Sequence, residues 1–112
     1  MRPFAGTVAI TGLNATDNPG PGVAVARSLR ADPGFAGRIV GLAYDVLDPG
    51  LHAEGLLDAS YIIPWPSAGL PALFDRLVHI QRTYGIDVFL PNLDSEVERL
   101  VGQESALNAM GI

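Results

Sequence analysis

Lysine and cysteine are both missing from this 112-residue chain. Its seven cations are all arginine, so the chain supplies no phosphate-cradling P-loop lysine, no Schiff-base lysine and no catalytic amine. Without cysteine there is no disulfide framework, thiolate nucleophile or cysteine metal site. That is compatible with a soluble cytoplasmic protein, the expected location. Positive charge is scarce: twelve acidic side chains outweigh the arginines to a net charge of −5 and a pI near 4.7. No electrostatic footprint for a nucleic acid exists. Long apolar runs are lacking as well. After Met1-Arg2-Pro3-Phe4-Ala5-Gly6 comes a short apolar run, soon interrupted by glycine, asparagine and aspartate, which is neither a secretory signal nor the roughly 20 residues of a membrane span. No membrane partner is expected.

What is present suits one small core. Hydrophobic residues make up 48% of the chain and mean hydropathy is +0.27, enough apolar surface for a single domain over residues 1–112. Thirteen glycines and nine prolines punctuate it without a repeat or linker. Thr7-Val8-Ala9-Ile10-Thr11 reads as a buried strand, and the turn-forming stretch from Leu13 to Gly22 leads into a helix with Pro21 in its first turn and Asp32-Pro33-Gly34 as its stop. Arg38 to Tyr44 is a second strand, Leu51 to Leu57 a short helical turn, and Ser60-Tyr61-Ile62-Ile63 a third strand ended by Pro64-Trp65-Pro66. Leu70, Leu73, Phe74, Leu77, Ile80, Gln81 and Tyr84 share one face of an amphipathic helix closed by Gly85. Ile86 to Pro91 is a fourth strand, before a last helical region that Gly102 breaks or kinks.

Apolar strands separated by helical segments predict an α/β fold: an open parallel sheet of about four strands with helices on both faces. Right-handed crossovers favour the order 3-2-1-4. The loops after the strand carboxyl ends then collect at one edge, where such sheets bind ligands. Those loops hold Asn14, Asp17, Gly20 and Gly22, then Asp45, then Trp65, then Asn92 and Asp94.

The stretch Gly12 to Gly22 has two readings. Its glycines and the helix N-terminus behind them suit a small ligand or anion, and they equally suit a structural strand-to-helix turn. The spacing Gly12, Gly20, Gly22 is not G-x-G-x-x-G. Asp45, 23 residues after Gly22, stands where a dinucleotide-binding fold places its ribose carboxylate, though a solvated loop carboxylate has the same spacing. Asn92 and Asp94 are candidates for a polar substrate group across the switch point. Helix capping by Asp94 or Ser95, with Glu96 and Glu98 at the positive dipole end, accounts for the same cluster. Trp65 between two prolines reads as a loop staple over the core or as a recognition aromatic. His52 and His79 lack partners at metal-ligand spacing, no metal site is expected, and no serine sits in a nucleophile elbow.

Taken together, V-A-I-T-G, P-G-V-A-V-A-R-S-L-R, I-V-G-L-A-Y-D, A-S-Y-I-I-P (Ala59 to Pro64) and G-I-D-V-F-L-P-N-L-D-S-E (Gly85 to Glu96) resemble the pre-ATP-grasp domain. This is the N-terminal Rossmann-like domain of ATP-grasp ligases, here most similar to the carbamoyl-phosphate-synthase large-subunit-like group, and the likeness runs from about Thr7 to Ile112. The resemblance implies a part of an ATP-dependent carboxylate–amine ligase that is not catalytic alone. ATP and Mg²⁺ would sit in an ATP-grasp domain of the same or a split protein, with no cofactor in this chain. Gly12, Asn14, Gly20, Gly22, Asn92 and Asp94 would form the side of a small-molecule substrate pocket. A homodimer and a stand-alone Rossmann-like nucleotide-binding or sensory module are the competing expectations. The C-cap signal at Met110-Gly111-Ile112 is expected to mark a domain boundary.

Overall fold

The computed structural model describes residues 2–14 and 20–112. Eight regular elements follow one another: β1 (Thr7–Ile10), α1 (Pro21–Ala31), β2 (Arg38–Ala43), β3 (Ala59–Ile62), α2 (Leu70–Thr83), β4 (Val88–Leu90), α3 (Asp94–Leu100) and α4 (Glu104–Ala109). The four strands form one sheet in the order β3-β2-β1-β4, every pair parallel. Val8 lies opposite Ile39 on one side and Val88 on the other, placing β1 at the centre of the register. The expected α/β sheet and its strand order are both present.

Alternation along the strands divides the core into two layers, because successive side chains point to opposite faces. Val8, Ile10, Ile39 and Ala43 pack with Val23 and Ala26 of α1. Ala9, Val40 and Leu42 pack with Leu77 and Ile80 of α2, and Leu107 and Met110 from the α4 end join them. Ile10, Ile39, Leu42, Leu77 and Ile80 are fully buried. Each of these aliphatic side chains contributes about 1.5–3 kcal/mol of burial free energy. The connection from β2 to β3 carries no α-helix. A 3-10 turn at Pro49–His52 replaces the helical turn read over Leu51 to Leu57, and Leu51, Leu56 and Leu57 cover the α1 face of the sheet from an irregular segment.

Two strands end earlier than their apolar runs. β1 stops at Ile10, two residues before Gly12 turns the chain at φ +81°, and β4 spans only Val88–Leu90 before Pro91, which has no N–H to give. Gly102 separates α3 from α4 as a full break. The crossover from β3 through α2 to β4 passes over β2 and β1, so the sheet's topological switch point lies between the carboxyl ends of β1 and β4.

Candidate functional site

The ends of β1, β2 and β4 and the start of α3 meet around Glu96. Glu96 is 5% exposed, on the first turn of α3. The hydroxyl of Thr11, just past β1, donates to its Oε1, and the phenol of Tyr44, just past β2, donates to Oε2. The Leu93 N–H donates to Oε1 at 3.2 Å, the reach-back half of a capping box. A buried carboxylate is costly unless its lone pairs are occupied, and here hydrogen bonds occupy them. Among the described residues the one ion pair is Arg30–Asp58, on the α1 side of the sheet.

Thr11 serves this cluster twice. While its hydroxyl donates to Glu96, the same oxygen accepts the Asn92 N–H at 2.9 Å, and the Asn92 side-chain amide donates to the carbonyls of Thr11 (3.0 Å) and Leu90 (3.1 Å). β1 is thereby stitched to the loop after β4. Burial raises the Tyr44 phenol well above the ordinary tyrosine range, and the hydrogen bond to Glu96 and its negative charge push the same way. Beyond Tyr44 its ring stacks on Trp65, centroids 4.5 Å apart and planes 11° from parallel. Trp65 is 58% exposed, and Tyr44, on which it stacks, packs against the core. A cavity of about 10 Å³, room for one water at most, lies between Tyr44, Pro64, Leu73, Glu96 and Arg99.

The glycines of the first loop act by close approach. Gly12 has φ +81°, and a side chain on Gly22 would place its Cβ 1.8 Å from the Thr11 carbonyl oxygen. Only hydrogen fits between β1 and the start of α1. Pro21 has no N–H, Gly22 donates to the Gly12 carbonyl at 2.9 Å and Val23 to that of Gly20 at 3.0 Å. The first three positions of α1 therefore hold no spare donor. Asn14 Oδ1 is buried and has no partner among the described residues. Asp17 lies outside the described residues.

The structure thus brings Gly12, Asn14, Gly20, Gly22 and Asn92 to the same sheet edge, while Asp94 sits exposed on the first turn of α3. Neither Asp94 nor Ser95 caps α3: Leu93 occupies the N-cap and Glu96 supplies the carboxylate. Asp45 is exposed past β2, its Oδ1 accepting the Leu47 N–H at 2.8 Å. His52 and His79 are exposed, and no cluster of three or more His, Cys, Asp or Glu side chains suited to a metal ion forms among the described residues. Thr11, Tyr44 and Glu96 escaped sequence reasoning as a group. The one available signal was Glu96 three residues after a loop position, the capping-box spacing, which says nothing of the other two.

No helix among the described residues is long and apolar enough to cross a membrane. Comparison with known protein families and with curated proteins finds no match to this chain.

Proposed function

We propose that this chain is the substrate-side and docking domain of an ATP-dependent carboxylate–amine ligase of the ATP-grasp, carbamoyl-phosphate-synthase-like kind, without catalysis of its own. The observation that carries the reading is the internal occupation of Glu96. Its lone pairs are taken by Thr11, Tyr44 and Leu93, so the one buried carboxylate at the ligand edge holds strand ends together and is not free to act as base or metal ligand. The described residues do not fit Mg²⁺–ATP: the first donors of α1 are spent on Gly12 and Gly20, and no lysine exists to hold phosphates. Nucleotide and metal belong, on this reading, to an ATP-grasp domain outside these residues. The edge contributes a wall: backbone at Gly12, Gly20 and Gly22, the side of Asn14, the Asn92 Oδ1 left over once its amide N–H groups are bound to Thr11 and Leu90, and the exposed Asp94 carboxylate, beside a small-molecule substrate.

The docking half rests on the sheet's other margin. β4 ends the strand order, and beside it runs an open groove of about 390 Å³ lined by Val88, Phe89, Val97, Leu100 and Val101. Val97 and Val101 are 45% and 70% exposed, and Asp87 and Glu104 put negative charge at the rim. An apolar surface with cations at its margin complements this face, and the nucleotide-holding domain would seat there.

Titration calorimetry of the chain with Mg²⁺–ATP tests the assignment. The expected result is no saturable heat and no ADP release. Tight binding or turnover by the chain alone overturns it. The rival nucleotide-binding module predicts saturable NAD or adenosine binding that Asp45→Ala abolishes. A second copy on the β4 face would show as concentration-dependent sedimentation, lost in Val101→Glu.

A further inference from the structure

We infer that the Tyr44–Trp65 pair is a stacking platform for a flat cationic ligand, such as an amidinium, guanidinium or protonated heteroaromatic ring. Trp65 is the only tryptophan of the chain; one indole face stacks on Tyr44, with centroids 4.5 Å apart, and the residue is still 58% exposed. The plane is ordered before any ligand arrives. Tyr44 is tied through its hydroxyl to Glu96 and through its backbone N–H to Asp48 Oδ2 at 3.3 Å, and Trp65 stands between Pro64 and Pro66. An ordered aromatic face spares a ligand the entropy of arranging it.

Charge selects the ligand class. The turn that follows Tyr44 carries Asp45 and Asp48, and on a chain of net charge −5 this edge favours cations. Of the arginines, Arg76 donates to the Ile62 carbonyl and lies over Tyr61, and Arg99 lines the small cavity that Tyr44 also borders. A cation over an indole gains from the ring quadrupole, for which tryptophan is the strongest partner. Val46 and Leu47, 63% and 80% exposed in the same turn, offer apolar contact to the ligand's body. The platform lies at the carboxyl edge of the strands, where open parallel sheets bind ligands. In the ligase reading this ligand is the amine-side substrate, whereas the platform itself does not depend on that reading.

Because Trp65 is the single tryptophan, its emission reports the site directly. Benzamidinium, benzamide and benzoate share a shape and differ in charge. Expected are saturable quenching by benzamidinium at unchanged excited-state lifetime, binding at least about fivefold weaker for benzamide, and none for benzoate. Asp45→Asn narrows the benzamidinium preference. By amide NMR shifts, Trp65→Leu abolishes saturable benzamidinium binding, while Trp65→Phe, which keeps a flat face, retains it in weakened form; thermal melting confirms that each variant is folded. Linear quenching with a falling lifetime, equal binding of benzoate, or wild-type affinity in Trp65→Leu overturns the platform. Mg²⁺–ATP binding by the chain alone would overturn the ligase reading and leave the platform standing.

Discussion

The hydroxyl of Thr11 donates to the carboxylate of Glu96 across 85 residues of sequence, joining the end of the central strand to the first turn of α3. Around that bond the ligand edge of the sheet is organised. Thr11→Val removes a donor to Glu96 and the acceptor of the Asn92 N–H, and is expected to cost about 1–3 kcal/mol in urea unfolding. Combined with Glu96→Gln, the two losses should fall short of their sum by at least about 0.5 kcal/mol, as for residues sharing one network. Strict additivity would mean that the two side chains do not depend on each other.

Gly22→Ala should destabilise the fold by more than about 2 kcal/mol, since its Cβ would lie 1.8 Å from the Thr11 oxygen and β1 would have to separate from α1. Gly55→Ala is the control. That position has φ +71° but open space around it, so the substitution carries conformational strain alone, about 1–2 kcal/mol. Equal melting temperatures for the two variants would contradict the packing described for Gly22.

Tyr44 sets an alkaline limit. Its proton is held more tightly in the folded state than in the unfolded chain, where tyrosine titrates near pH 10. The stabilisation is complete below pH 10 and declines as the unfolded chain loses the proton, with a slope approaching about 1.4 kcal/mol per pH unit. Tyr44→Phe should flatten that part of the curve in urea midpoints between pH 8 and 11. Parallel curves for the two proteins would show that Tyr44 titrates normally.

Asp58 works at the acid end. Partial burial alone would raise its carboxyl, but the Ile39 N–H together with Arg30 and Arg38 outweighs that and holds it below the ordinary aspartate value of 3.8. Stability from this group is present above that value and lost as pH falls through the lowered one. The pair with Arg30, at 2.7 Å, is substantially exposed, so screening should keep its share below about 1 kcal/mol. Chemical denaturation between pH 2 and 6 should show a shallower acid decline in Asp58→Asn, and added salt should shrink the difference.

The strand order was legible because its signals are local. β-branched runs, the Leu70 to Tyr84 stripe and the proline stops each lie within one element, and handedness rules turn their order into a topology. Asn92 was legible as a residue of the switch point, but its amide is occupied by the Thr11 and Leu90 carbonyls. Glu96 read as one more acid at a helix start. Its burial depends on Thr11 and Tyr44, and the three residues meet only because β1, β2 and β4 end side by side.

The amino-acid sequence by itself determined the acidic, lysine-free character of the chain, its parallel α/β sheet and the loops that gather at the carboxyl edge. These follow from composition and from periodicities that act over a few residues. Tertiary structure alone decided which carboxylate is buried, that the first N–H groups of α1 are spent on Gly12 and Gly20, and that Trp65 lies stacked and open to water. Each depends on atoms brought within a few ångströms from distant parts of the chain, and a hydrogen bond or a ring stack exists only once that distance is set.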